Sequence, residues 1–239
     1  MSNERNEKTE NNAKNAQNMT NAALFDCRVP YLTALFARCT YPWELLDEIA
    51  ACIRALLSAP PAGMHLLHPD LPILVGEGVK ILPSAFIEGC AVIGAGCELR
   101  PGAYLRGNVI TGEGCVIGNS SELKNCILLD GVQVPHYNYV GDSVLGNRAH
   151  MGAGAICSNL KSDKMPVTVH GAQDFPTGRR KCGAMLGDDA DVGCGCVLCP
   201  GTVIGRGTSV YPLTAVRGVL PAVCIVKSMD NIVPRKENC

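Results

Sequence analysis

The side chains of this chain that could do chemistry gather between residues 100 and 200. His136 stands at their centre. An imidazole titrates near neutrality, so it can take the proton that an amine sheds on attacking a carbonyl. Twelve residues earlier comes Lys124, a compact ammonium suited to phosphate, and Arg106 precedes it by three hexapeptides. Tyr139 and Asp142 follow within six residues, and Ala153 then sits between two glycines. The run Thr177-Gly178-Arg179-Arg180-Lys181 carries three adjacent cations, which could meet the phosphates of a ligand or form a solvated charged turn. Cys194, Cys196 and Cys199 have a spacing that invites a metal reading. The repeat described next points Cys196 inward, away from the other two, so no metal is expected.

A period of six positions these residues. Val75, Ile81, Ile87, Ile93, Leu99, Leu105, Thr111, Ile117, Leu123 and Leu129 follow one another at that interval, and all but one are branched aliphatics. Four residues after each comes a small or short side chain, such as Ala85, Cys97, Ala103 or Ser121. The register resumes with Leu186, Val192, Leu198, Ile204, Val210 and Val216. On an α-helix a step of six scatters side chains around the axis. Stacked six-residue strand-and-turn units instead bury their aliphatics in columns, which predicts a parallel β-helix. Periodicity leaves the hand open, and the general rule for parallel connections favours a right-handed one. Near Pro135 the period slips, with steps of five ending at Val134 and Leu145. The slip marks His136 as a special place.

The rest of the chain is read around that block. Residues 1–22 are polar and Asn-rich, the composition of a disordered tail. Residues 23–72 are expected to be helical, with Pro42 opening a helix to about Ser58 whose Leu45, Leu46, Ile49, Ile53, Leu56 and Leu57 form an apolar stripe. That helix is expected to cap the open first coil. The β-helix is expected over 73–222, with an excursion loop at 158–184 and a polar surface tail at 223–239. A net charge of −1 argues against nucleic acid or an acidic membrane as partner. No apolar run reaches the length of a membrane span. The start lacks a secretory signal, so the 14 cysteines read as reduced thiols of a cytoplasmic protein.

Glu122-Leu123-Lys124, followed after eleven residues by His136-Tyr137-Asn138-Tyr139-Val140-Gly141-Asp142 and then by Gly152-Ala153-Gly154, resembles the hexapeptide-repeat acyltransferases. It is most similar to the acetyltransferase half of bifunctional glucosamine-1-phosphate acetyltransferase / N-acetylglucosamine-1-phosphate uridyltransferases and their relatives. The resemblance covers roughly residues 100–221. It implies a left-handed β-helix, a homotrimer with sites between neighbouring solenoids, and acetyl-coenzyme A as co-substrate without a metal. It implies transfer to an amino-sugar phosphate or a nucleotide-activated amino sugar. His136 falls on the catalytic base and Ala153 on a backbone donor to the acetyl carbonyl. Lys124, Tyr139, His150 and Asn159 fall on acceptor-binding positions. Arg106 is preferred to Arg100 as the phosphate-binding Arg, because a whole number of coils separates it from Lys124 and puts both on one face. Cys194 and Pro212 fall where coenzyme A is contacted, and Arg179, Arg180 and Lys181 resemble a segment of archaeal relatives suited to its phosphates or to a nucleotide's. His150 replaces the family's Asn, and Leu160 replaces a Tyr. These departures keep open a non-catalytic module that binds nucleotide sugar or coenzyme A. Nothing before Val75 resembles the Gly-rich loop of the uridyltransferase half.

Overall fold

Three ribbons of short strands run the length of the molecule, seen in a computed structural model that describes residues 19–235. They are the faces of the expected left-handed parallel β-helix, with nine, nine and seven strands. Ile73 pairs with Ala91 on the first face, Glu98 with Val116 on the second and Phe86 with Tyr104 on the third, each three hexapeptides on. One aliphatic from each six-residue unit points inward, and the column Ile93, Leu99, Leu105, Ile117, Leu123 is wholly buried. Cys97, Cys115 and Cys196 are buried at the small positions. All thirteen described cysteines are free.

Of the two short steps, the one ending at Leu145 lies where the sequence places it and the other does not. Leu128, not Leu129, joins the interior column, and Leu129 packs on the outside of the first face. The five-residue steps therefore run from Leu123 to Leu128 and from Val140 to Leu145. They span Asn125 and Asp142, at the corner between the third and first faces. Both residues take left-handed backbone, at φ 48° each. Cys126 pairs with Val109 and Ile127 with Val144, so each coil closed by one of these corners is a single residue short of three hexapeptides. The slip thus falls on the corners before and after His136, not on His136.

The N-terminal segment does not cap the open coil. Helix α1 (Asn21–Leu24), helix α2 (Thr33–Arg38) and helix α3 (Pro42–Ser58) lie along the first face, where α3 touches the strands Val109–Thr111, Cys126–Leu128 and Val144–Leu145. The reason is a stripe of apolar residues on that face's outer side: Leu74, Val92, Ile110, Ile127, Val144, Met185 and Val203 are all fully buried in one cluster with Leu45, Leu46, Ile49 and Ile53. Apolar area of that kind is driven out of water at about 25 cal/mol per Å². The strand Met64–Leu66 covers the end of the first face by pairing antiparallel with Ile73–Gly76.

Both ends are more ordered than their composition implies. Met19 is fully buried and Asn21 opens α1, although both fall in the segment read as a disordered tail. Residues 1–18 of that segment lie outside the described residues. The tail read from 223 continues the solenoid instead. Cys224–Ser228 adds a parallel strand to the second face, and Asn231–Pro234 folds back antiparallel on it. The excursion leaves after Ile156–Cys157 and returns at Ala184–Leu186. It carries a hairpin, Thr168–His170 against Asp174–Pro176, that presses Val167, Val169 and Phe175 onto the helical layer. Among the described residues no helix is long and apolar enough to cross a membrane.

Candidate active site

The corner between the second and third faces repeats one backbone shape on successive coils. Its third residue takes positive φ: Ser84, Gly102, Ser120, Tyr137, Gly154, Gly195 and Leu213. The residue before each stands on a common ridge, and there the chain places His136, Ala153, Cys194 and Pro212 in consecutive coils. Ladder hydrogen bonds fix the stacking: the amide of Gly154 donates to the His136 carbonyl at 3.0 Å, Gly195 to Ala153 at 2.8 Å and Leu213 to Cys194 at 2.9 Å. Coils stack about 4.8 Å apart, so His136 and Ala153 are one such step from each other.

His136 ends the strand Gln133–His136 and is exposed. Its imidazole makes no hydrogen bond or ion pair among the described residues, so both ring nitrogens face solvent. Ala153 is exposed, and its amide has no acceptor among the described residues. Asn138, 2% exposed, braces both corners from inside. Its amide nitrogen donates to the carbonyls of Gly152 at 2.8 Å and Ala155 at 3.2 Å, and its oxygen accepts from the His136 amide at 3.1 Å. The Asn138 backbone N–H donates to the Ser121 hydroxyl at 3.2 Å. Sequence reasoning quoted Asn138 but gave it no role, since a buried amide in a corner leaves no periodic signal.

The third face carries the other candidates. Pairing of Glu122 with Tyr104 and of Leu123 with Leu105 sets Lys124 beside Arg106. Arg100 sits at the ridge corner, paired with Glu98 at 2.9 Å. Arg106 is held by Glu122 at 3.0 Å, a bond that raises its pKa. At the far edge of this face Asp142, 2% exposed, is a hub. It accepts from Lys124 at 3.2 Å, Asn125 at 3.0 Å and Asn159 at 2.6 Å, and lies 3.8 Å from Arg179. Asn159 also donates to the Tyr139 hydroxyl at 3.1 Å, and burial raises the Tyr139 pKa against that bond. The Tyr139 ring folds over Gly141, where a Cβ would meet its hydroxyl at 2.5 Å and the Asn159 amide nitrogen at 2.7 Å. Lys124, Tyr139, Asn159 and Arg179 thus form one network. The motif's Asp142, which the sequence reading left without a role, joins them.

Two candidates, His150 and His136, stand apart from it. His150 lies on the second face, its Nδ1 2.8 Å from Asp191, and does not meet Lys124 or Tyr139 within the chain. His136 is across the third face from Lys124, up to about 16 Å away along five extended residues. Arg179, Arg180 and Lys181 stand at the hub edge rather than on the ridge of Cys194 and Pro212, with the Arg179 guanidinium also bonded to Asp47 of α3. Burial lowers the Arg179 pKa. Among the described residues no group of three His, Cys, Asp or Glu side chains is arranged to hold a metal ion.

Residues 87–174 match the family described as the GMPPB C-terminal domain. The bifunctional protein GlmU of Methanococcus vannielii is 32% identical over 122 residues, covering 51% of this chain and 30% of that protein. A bifunctional sugar-1-phosphate nucleotidylyltransferase/acetyltransferase of Sulfurisphaera tokodaii is 37% identical over 97 residues, covering 40% of this chain and 24% of that protein. This chain therefore spans about a quarter to a third of the length of these relatives. The acetyltransferase domain of PglB from Neisseria gonorrhoeae, solved with acetyl coenzyme A, aligns at a TM-score of 0.34 and 19% identity over 69% of this chain and 58% of that one. With the ridge, the hub and the solenoid in view, the repeat region of this chain is a hexapeptide-repeat β-helix similar to the acetyltransferase half of those bifunctional proteins.

Proposed function

We propose that this protein is an acetyl-coenzyme A-dependent N-acetyltransferase acting on an amino sugar carried by a phosphate or a nucleotide. One observation carries the reading: an unpartnered, solvent-facing imidazole stands one coil from a free backbone amide on the same ridge. In this reaction the acceptor amine attacks the thioester carbonyl, a C–N bond forms and the C–S bond breaks. His136 takes the proton the amine sheds, and the departing thiolate is protonated from solvent or from His136. The Ala153 amide hydrogen-bonds the carbonyl oxygen as negative charge develops on it. Lys124, Arg106, Tyr139 and Asn159 hold the sugar and its phosphate, while Cys194 and Pro212 line the path of coenzyme A towards the C-terminal coils.

Among the described residues the second and third faces, which flank the ridge, carry no helical layer, so neighbouring solenoids of a homotrimer could approach there and complete the site. A thiol-release assay with acetyl-coenzyme A against amino-sugar 1-phosphates and nucleotide amino sugars tests the activity. His136→Ala should lower turnover by 10²-fold or more, in line with general-base catalysis, while coenzyme A affinity changes little. Turnover unchanged in that variant would refute the role of His136. Binding of both ligands without turnover in the native protein would favour the non-catalytic module.

A further inference from the structure

Beyond Lys124 the third face ends in an open cavity of about 450 Å³, a volume within the range of small-molecule sites. One wall is the excursion-loop run 177–181, and the other is Asp142 and Asp47. Arg179, Arg180 and Lys181 line it, and Lys124 adjoins it through its ion pair with Asp142. Two are already matched. Asp142 holds Lys124 and lies beside Arg179, and Asp47 holds Arg179 from helix α3. Arg180 and Lys181 are not matched. Both are exposed, and neither ion-pairs with a carboxylate among the described residues. Arg180 makes only a bond from its Nε to the Lys164 carbonyl at 3.2 Å, which brings a further exposed lysine to the same rim.

The cavity's place in the fold decides which ligand those free cations serve. The ridge that would carry coenzyme A runs from Ala153 through Cys194 to Pro212, into the later coils and along the opposite edge of the third face. The cavity opens on the coils of Lys124, Asp142 and Asn159. Asn159 ties it to Tyr139 through two hydrogen bonds, so it continues the acceptor groove. That groove is long. From His136 to the Lys124 edge it is up to about 16 Å, and Arg180 and Lys181 lie past that edge. An amino sugar bearing one phosphate is a single ring and one anion long, too short to reach from the imidazole to these cations.

We infer that the acceptor is an amino sugar linked to a nucleoside diphosphate, with Arg180 and Lys181 meeting the diphosphate beyond the position served by Lys124. The inference rests on the acetyltransferase reading for the identity of the sugar end. The diphosphate site itself stands on the cavity and its unmatched charge. Arg180 and Lys181 make charge-assisted bonds to phosphate oxygens, and Arg179, fixed between Asp47 and Asp142, holds the loop in place.

The test is a binding measurement on the full chain with three probes, UDP, GDP and acetyl-coenzyme A, by calorimetry at fixed ionic strength. The double variant R180A/K181A removes only exposed side chains, so it should fold. It should weaken nucleoside diphosphate binding 10- to 100-fold and leave acetyl-coenzyme A affinity within twofold. Native binding of UDP or GDP should also fall steeply with added salt. Unchanged nucleoside diphosphate affinity in the double variant, or no such binding in the native chain, overturns the inference. An equal loss for acetyl-coenzyme A also overturns it, since the cations would then serve the thioester. Thiol release separates the two proposals. Diphosphate binding lost in the double variant, with no transfer to any amino sugar by the native chain, sinks the transferase reading alone. Transfer to amino-sugar 1-phosphates by a chain that ignores UDP and GDP sinks this inference alone.

Discussion

Asn138→Ala is the substitution that most directly couples stability to the proposed chemistry. The residue is 2% exposed, and its side chain joins the His136 corner to the Gly152–Ala155 corner one coil on. Truncation removes the side-chain acceptor of the His136 amide, leaving a part-buried donor at a cost of about 1–3 kcal/mol. It also strips one donor from the carbonyls of Gly152 and Ala155, at about 0.5–1.5 kcal/mol each. Gly152 keeps a bond from the Ala155 amide at 3.1 Å, which holds the total near about 3 kcal/mol. For a chain of this size that corresponds to a fall in Tm of about 6–12 °C, readable by calorimetry. The functional consequence is separate. The two corners present the imidazole and the Ala153 amide, and a displacement of about 1 Å between reacting groups costs on the order of 10²-fold. At a temperature where the variant is fully folded, kcat for thiol release should therefore drop at least 10-fold, with KM for acetyl-coenzyme A changed less. Asn138→Asp keeps the shape but aims a carboxylate at two carbonyls. It should be at least as damaging at pH 7 and recover partly as the acid is protonated at lower pH. A loss of stability with kcat untouched would show that Asn138 only fills the core, and a Tm within about 2 °C of native would refute the hydrogen-bond accounting.

Four further outcomes are expected. Asp142→Asn removes the carboxylate shared by Lys124 and Arg179; a broken buried pair costs about 3–5 kcal/mol, discounted here to about 2–3 because Lys124 keeps a quarter of its side-chain surface in water. A double-mutant cycle with Lys124→Met should return a coupling above about 0.5 kcal/mol, and zero coupling would contradict the hub. Ile49→Ala, at a fully buried position of α3, should cost about 2–5 kcal/mol in urea unfolding, whereas an idle end-cap helix would leave the midpoint in place. Gly141→Ala adds a Cβ against Tyr139 and Asn159 on an outward face, so KM for the acceptor should rise 10-fold or more while Tm moves little. Alkaline pH should destabilise the fold, because burial pushes the Cys157 and Cys182 thiols up from 9.0 to about 12. Folded pKa values above the unfolded ones give stability that is complete below pH 9 and is lost as pH rises towards 12. At pH 10 the loss is on the order of 1 kcal/mol for each thiol, and denaturant midpoints flat from pH 8 to 11 would rule it out.

What the sequence made legible was the part governed by one rule repeated many times. A step of six fixes the inward column, and three such steps set Arg106 beside Lys124, because both distances are whole numbers of strand units. The misplaced slip and the misplaced helix have one common cause: a second apolar pattern overlies the first. At Ile127, Leu128 and Leu129 three adjacent aliphatics face out, in and out, so counting by six picked Leu129 and carried the slip to His136. The signal that separates them is the longer period. Leu74, Val92, Ile110, Ile127 and Val144 recur once per coil, with the interval shortened by one where the corners are. Only a face covered along its length needs that pattern, so the same residues that hid the slip foretold where α3 lies. The shortened corners then have a mechanical consequence. With one residue fewer at Asn125 and at Asp142, two polar αL residues stack where regular coils carry a longer turn. The Asn125 amide reaches the Asp142 carboxylate, which is thereby buried beside Lys124, Asn159 and Arg179 rather than left in solvent. A buried carboxylate requires several donors to offset its desolvation. The two missing residues are therefore what gathers the cations of the candidate site at this edge of the third face.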